Sequence, residues 1–219
     1  MPGYNAVHAV FSTNFGSVDR SFKIDGKRFD IPAGVAHFLE HKMFENEDGD
    51  AFEKYAKTGA NANAFTSFDK TCYIFTATEN VDESLDILLD FVTKPYFTPQ
   101  TVQKEMGIIG QEIKMYDDSA NWRMLFGLLE GLYVNHPVRD DIAGTVESIA
   151  EIDDKLLYDC ARGFYSPSQM ILCVAGNITT EQVLAACQRA GFTSDVADVE
   201  RIRPEEPDEI NYKEKTIYM

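Results

Sequence analysis

Positive charge is scarce in this chain. Its 219 residues include 20 lysines and arginines but 36 aspartates and glutamates, so the formal net charge at pH 7 is −16. A surface of that sign repels phosphate groups, and nucleic acid is therefore not an expected partner. Most of the acidic excess is expected to form a solvated surface that keeps the protein soluble, and a basic or neutral partner is easier to accommodate than an acidic one.

Long apolar runs and a secretion signal are also missing. No run approaches the roughly 20 apolar residues that a membrane-spanning helix requires. The N-terminal MPGYNAVHAV has no basic segment followed by an apolar core, so no signal peptide is predicted. We therefore expect a cytoplasmic protein with no membrane partner.

Cysteine is sparse and shows no pairing pattern. The four cysteines, Cys72, Cys160, Cys173 and Cys187, form no Cys-x-x-Cys motif and lie in apolar or mixed segments. Buried free thiols in a reducing compartment are the expectation. Two disulfides are the alternative, and they would require a secreted chain.

Strand and helix patterns are mixed along the chain. Apolar alternation predicts strands over 6–13, 61–68 and 71–79, and a buried strand over 169–177. Apolar residues at three- and four-residue spacing, with caps and stop signals, predict helices over 34–44, 81–94, 98–118, 121–133, 153–165 and 179–191. The class indicated is α+β, with a single antiparallel or mixed sheet and helices packed on it.

The last part of the sequence changes in character. Residues 194–219 are highly charged, contain two prolines and show no clear period, so they predict an extended linker. The final TIYM resembles the start of a strand. Residues 1–193 are accordingly predicted to form one domain.

The segment GVAHFLEHKMFE, residues 34–45, contains two histidines four positions apart. On a helix, His37 and His41 lie on one face and can offer two imidazole nitrogens to one metal ion. Glu40 stands beside them, where a general base takes a proton from a metal-bound water. This H-x-x-E-H arrangement is the inverzincin signature. The alternative is a charged helix that happens to carry two histidines.

A zinc site built on two histidines needs a third protein ligand and an open position for water. His8 lies in a predicted strand and His136 precedes a proline, so neither is a good candidate. Glu105 and Glu112 are seven residues apart on one helical face, with isoleucines between them. Buried carboxylates need a cation or hydrogen-bond donors, which zinc and an imidazole N–H would supply. Two ordinary surface glutamates are the alternative.

With these residues in place, the chain resembles the pitrilysin/insulinase family of zinc metallopeptidases, which includes the mitochondrial processing peptidase. The resemblance covers nearly the whole chain and looks closest to a bacterial branch of processing proteases. It rests on five ordered segments: GVAHFLEHKMF, GANANAFTSFDKTCYIF, EMGIIGQEI, NHPVRDDIAGTVESI and FYSPSQMILCVAGNI. The implied fold is the metallohydrolase domain of the processing-peptidase type, over residues 1–193.

The resemblance implies a role for each candidate residue. It matches His37, His41 and Glu112 to the ligands of one zinc ion, Glu40 to the catalytic base and Glu105 to the carboxylate that orients a ligand histidine. The implied activity is zinc-dependent endopeptidase cleavage of short or unfolded polypeptides.

The resemblance also concerns the substrate and a partner. Ala62, Asn63 and Ala64 are expected to line the cleft, where a peptide substrate would add to their strand. Family members begin with an additional strand, which is expected to be missing here. They also pair this half with a second, similarly folded half that closes the cleft. The chain is thus expected to be a catalytic half that binds zinc and cleaves peptides weakly by itself.

Three other functions stay open from the sequence. One is a non-catalytic scaffold or partner subunit of a processing-peptidase-like complex. Another is a small-molecule zinc lyase with the same inverted motif, similar to S-ribosylhomocysteine lyase. The third is an interaction module in which the motif is accidental. The complete motif and the helix with Glu105 and Glu112 favour the peptidase over all three.

Overall fold

Strands and helices are both present in the computed structural model, which describes residues 3–192 and 196–216. The strands in these ranges are β1 Val7–Thr13, β2 Ser21–Ile24, β3 Lys27–Asp30, β4 Glu45–Asn46, β5 Gly49–Asp50, β6 Asn61–Thr66, β7 Thr71–Ala77, β8 Met170–Gly176 and β9 Val199–Arg201. The helices are α1 Val35–Met43, α2 Ala51–Thr58, α3 Val81–Thr93, α4 Pro99–Asp117, α5 Ala120–Leu132, α6 Val146–Ile149, α7 Asp154–Phe164 and α8 Thr180–Ala190. The α+β class is confirmed.

The main sheet has four antiparallel strands in the order β6-β7-β1-β8. Its side chains alternate between the two faces, as the pleat of a strand requires. Along β1, Ala9 and Phe11 are buried on the helix-covered face, whereas His8 is exposed on the other. β6 is an edge of this sheet, since β7 is its one strand partner among the described residues. The edge lies beside α1.

Helix α1 is buried along most of its length. The predicted apolar stripe is present, with Phe38, Leu39 and Met43 at 0–1% exposure. The helix begins after Gly34, whose φ of 93° is favourable only for glycine. A Cβ atom at that position would lie 2.5 Å from the carbonyl oxygen of Ala143. The start of α1 is therefore in direct contact with the loop that precedes α6.

The prediction of a single sheet is wrong, because β2, β3 and β9 form a second sheet and β4 pairs with β5 in a third. Asp25 and Gly26 both have positive φ and turn residues 21–30 into a hairpin. β9 then pairs with β2 from within the segment predicted to be an extended linker. Arg201 on β9 forms an ion pair with the buried Asp19, which adds a polar attachment for this segment.

The segment after β9 continues along α5. Tyr212 packs against Gly131, and its hydroxyl donates to the Gly127 carbonyl at 3.1 Å and the Glu130 carboxylate at 2.8 Å. The proposed boundary between residues 193 and 194, and all but the first residue of the strand start predicted for residues 216–219, fall outside the described residues. None of the helices in the described ranges combines the length and apolar character that a bilayer span requires.

Candidate metal centre

Three side chains from two helices converge beside β6. The Nε2 atoms of His37 and His41 on α1 lie 3.7 Å and 3.4 Å from the carboxylate oxygens of Glu112 on α4. One ligand atom from each of these residues lies within 4.8 Å of the other two. Within residues 3–192 and 196–216, no other set of three or more His, Cys, Asp or Glu side chains is this close. Two atoms that each lie about 2.1 Å from a tetrahedral zinc ion are about 3.4 Å apart, so this donor set fits zinc.

Helix α4 presents Glu105 and Glu112 to α1 because its apolar residues pack inward. Ile109 and Ile113 are buried on the packed face, at 0% and 8% exposure. Ile108, by contrast, is 46% exposed. The two glutamate side chains are 13% and 22% exposed, which agrees with the expectation that neither points into bulk water.

His41 is oriented by Glu105. Its Nδ1 lies 2.9 Å from Oε1 of Glu105, and this hydrogen bond leaves Nε2 directed at Glu112. Burial lowers the pKa of His41, but hydrogen bonds to Glu105 and Glu112 outweigh that effect and raise it to about 10. A metal ion would therefore have to displace a proton from this ring on binding.

His37 differs from His41 in its surroundings. Burial, and then the neighbouring His41, lower the pKa of His37 to about 4, against the opposing charges of Glu112 and Glu105. The ring is neutral at pH 7, which is the form that binds a metal. Its Nδ1 is buried and has no hydrogen-bond partner among the described residues.

Glu40 lies on the same helix between the two histidines and does not join their cluster. Its Oε2 accepts a hydrogen bond from the Thr66 hydroxyl at 2.6 Å. Burial raises the pKa of Glu40, while the Thr66 bond opposes that rise. A carboxylate with a raised pKa beside a cation site is suited to take up a proton and release it again.

Glu112 is held by a second contact, from one turn further along α4. The Tyr116 hydroxyl donates to its Oε1 at 2.5 Å. The hydrogen bond from His41 is the largest cause that lowers the pKa of Glu112, to about 2, although burial opposes it and Tyr116 adds to it. The carboxylate is therefore ionised at neutral pH.

Two cavities flank this group. The smaller, of about 200 Å³, is lined by the three candidate ligands, Glu40, Tyr116 and Trp122, among others. The larger, of about 590 Å³, extends from Glu40 past Phe44 and Phe52. Of the predicted substrate residues on β6, Ala64 lines both cavities, Asn63 lines the larger one, and Ala62 lines neither.

The remaining histidines lie outside this centre. His8 forms a hydrogen bond with Thr76 across the sheet at 2.8 Å. His136 accepts a hydrogen bond from the backbone N–H of Val138 and so caps the short helical turn Pro137–Arg139. The four cysteines are free; Cys72 and Cys160 are buried as expected, whereas Cys187 is half-buried and Cys173 is exposed.

Sequence reasoning missed the residues that support the site. Thr66 shares a face of β6 with Ala64, so the two-residue period of a strand was an available signal. Tyr116 is four residues after Glu112, which is the spacing of neighbours on a helix. Trp122 and Asp141 are brought to the site by tertiary contacts, for which the sequence offers no local signal.

Comparison with known proteins agrees with this arrangement. The profile of the Insulinase (Peptidase family M16) family matches residues 25–146. The uncharacterized zinc protease YmfH of Bacillus subtilis is 49% identical over 222 residues, which cover 99% of this chain and 52% of YmfH. A crystal structure of an M16-like peptidase from Alicyclobacillus acidocaldarius superposes with a TM-score of 0.92 at 41% identity, over 97% of this chain and 51% of that one.

The first half of the periplasmic protease PqqL from Escherichia coli shares the fold, with a TM-score of 0.74 at 24% identity. The match covers 91% of this chain and 44% of that one. The chain thus spans about half the length of the relatives it matches. The matched profile and the similarity to YmfH over 99% of this chain lead to one conclusion. The chain belongs to the insulinase family, peptidase family M16.

Proposed function

We propose that the chain is the catalytic half of a zinc endopeptidase. His37, His41 and Glu112 would hold one zinc ion per chain, with Glu105 orienting His41. The observation that carries this proposal is the convergence of three ligand atoms within 4.8 Å, with Glu40 lining the same cavity. The cytoplasmic location predicted from the sequence is part of the same proposal.

The bound zinc would supply a Lewis acid that activates water at neutral pH and polarises the scissile carbonyl group. Glu40 would take the proton of the attacking water and deliver it to the leaving amine. The Thr66 hydroxyl would keep the Glu40 carboxylate turned toward that water, since it already binds Oε2 at 2.6 Å. These steps use residues of this chain alone.

The edge of β6 would bind the peptide backbone. An extended peptide can add to an open sheet edge through main-chain hydrogen bonds. The N–H of Ala64 donates to the side-chain oxygen of Asn63 at 2.9 Å, a bond to a side chain that a substrate could displace. A peptide carbonyl would take the place of the Asn63 side chain, and the scissile bond would then lie over the cavity that contains Glu40.

A second, similarly folded half would close the cleft over the peptide. The chain covers 52% of YmfH and 51% of the Alicyclobacillus structure, which supports a partner half of similar size. We expect the 219-residue chain to bind zinc but to hydrolyse peptides weakly by itself.

The proposal is tested by Glu40→Gln in the complete enzyme, with an unstructured peptide as substrate. The variant should keep its zinc and lose about 10²–10⁴-fold in kcat, since general acid–base catalysis contributes that much. Glu151→Gln, an exposed glutamate after α6, is the matched control and should retain full activity. Undiminished hydrolysis by Glu40→Gln would remove Glu40 as the base. A zinc-binding chain whose complete form cleaves no peptide would favour the scaffold or lyase functions.

A further inference from the structure

A chain of contacts leads from Glu112 to the loop that contributes Ile142 and Ala143 to the smaller cavity. The hydroxyl of Tyr116 donates to Oε1 of Glu112 at 2.5 Å. The Tyr116 ring stacks on Trp122 of α5, with centroids 4.6 Å apart and planes 17° apart. The Trp122 indole N–H in turn donates to Oδ2 of Asp141. Each contact fixes the position of the next group.

Asp141 is itself held by the loop in which it lies. Its Oδ1 accepts from the backbone N–H of Ala143 at 2.9 Å. The Ala143 carbonyl is in close contact with Gly34, where α1 begins. Ser148, just beyond this loop, donates from its hydroxyl to the Ala33 carbonyl at 2.9 Å. The same loop thus contacts the start of α1, the helix that carries His37. Through Trp122 it also contacts Tyr116, the residue whose hydroxyl binds Glu112.

We propose that Tyr116, Trp122 and Asp141 are positioning residues that hold the Glu112 carboxylate in its metal-binding orientation. The inference rests on the proposed ligand set. Tyr116 donates to Oε1, which lies 3.7 Å from Nε2 of His37, and this bond holds Oε2 at 3.4 Å from Nε2 of His41. The Trp122 ring keeps the phenol from rotating away, and Asp141 keeps the indole in place.

This role differs from simple packing in what a mutation should change. If the aromatic pair served only to join α4 to α5, loss of the Tyr116 hydroxyl would lower thermal stability and leave the zinc affinity unaltered. If the hydroxyl orients Glu112, its loss should weaken zinc binding about 10–100-fold, as is typical for groups that support a metal ligand.

The test is Tyr116→Phe, which removes the hydroxyl and keeps the ring on Trp122. Zinc dissociation constants are measured by competition with a chromophoric chelator. Trp122 is the single tryptophan of the chain, so its emission follows the same titration. We expect at least tenfold weaker zinc binding and a smaller emission change. The matched control is Tyr158→Phe. This change removes the hydroxyl that accepts the 2.9 Å hydrogen bond from the Phe97 N–H, a contact outside the metal centre, and the variant should bind zinc like wild type.

Two further variants keep the result decisive. Trp122→Phe removes the indole N–H and should weaken zinc binding in the same direction by a smaller factor. Glu112→Ala tests the ligand set itself. If Glu112→Ala loses zinc while folded Tyr116→Phe and Trp122→Phe stay within twofold of wild type, the positioning role is refuted and the ligand set stands. If Glu112→Ala binds zinc normally, the proposed function fails first.

Discussion

Replacing Glu105 by glutamine should weaken zinc binding about tenfold. Glu105 lies 2.9 Å from Nδ1 of His41, and its side chain is 13% exposed, so solvent screens its charge poorly. A hydrogen bond to a charged group contributes about 1.5–3 kcal/mol, and a neutral one about 0.5–1.5 kcal/mol. Glutamine keeps an acceptor and loses the charge, a difference of about 1–1.5 kcal/mol, or about 5–13-fold in the zinc affinity after correction for the proton that His41 releases. Glu105→Ala removes the acceptor as well and should approach 100-fold.

The assay is a competition titration of the purified chain with a chromophoric chelator of known zinc affinity. Glu151→Gln makes the same chemical change at an exposed glutamate and should bind zinc like wild type. Thermal unfolding in the presence of chelator checks that each variant folds. Zinc affinities of Glu105→Gln and Glu105→Ala that both fall within twofold of wild type would refute the orienting role of Glu105.

Four other predictions concern this site and the start of α1. Thr66→Val should lower kcat of the complete enzyme about 10–100-fold, because Glu40 loses a hydrogen bond worth about 1.5–3 kcal/mol. Thr66→Ser keeps the hydroxyl and should restore kcat. Equal kcat values for Thr66→Val and Thr66→Ser would exclude a role of the Thr66 hydroxyl. Zinc binding at pH 7 should release a proton from His41, measured by calorimetry in buffers of different ionisation enthalpy. The pKa of His41 is raised from 6.5 to about 10, so without zinc its contribution to stability is fully present below pH 6.5 and is lost as the pH rises toward 10. A melting temperature of the zinc-free chain that stays constant between pH 6.5 and 10 would contradict this prediction. Gly34→Ala should destabilise the chain by about 1–3 kcal/mol or more, because Gly34 has a φ of 93° and an added Cβ would lie 2.5 Å from the Ala143 carbonyl oxygen. Denaturant unfolding that shows an unchanged free energy of unfolding would refute this prediction.

Local signals were sufficient to predict the elements that carry the candidate ligands. The sequence predicted a helix over 98–118, and α4 runs over Pro99–Asp117 with Thr98 as its cap. The apolar stripe of α1 predicted a helix over 34–44, and the structure has one over Val35–Met43. Both helices have strong caps or periodicity, and these features depend only on neighbouring residues.

The second sheet could not be predicted in the same way. β9 is three residues long, Val-Glu-Arg, and has no apolar period that would separate it from a charged linker. Its pairing with β2 joins residues that are far apart in the chain, such as Phe22 and Arg201. Only the folded structure brings these residues together.

The candidate site shows the same division. The spacing of His37, His41 and Glu40 on one helix predicted a cation site, and the position of Glu112 on α4 supplied the third candidate ligand. The contact between Trp122 and Asp141 depends on how α5 packs against a loop, and neither residue has a local motif. The candidate ligands could thus be identified from the sequence, whereas most of the residues that contact and support them could not.

The most direct test of the account is anomalous X-ray diffraction at the zinc absorption edge, from crystals of the zinc-loaded chain. We expect one peak per chain, within about 2.0–2.2 Å of Nε2 of His37, Nε2 of His41 and a carboxylate oxygen of Glu112. A peak at other residues, or a zinc-loaded crystal with no peak between these three side chains, would contradict the proposed metal centre.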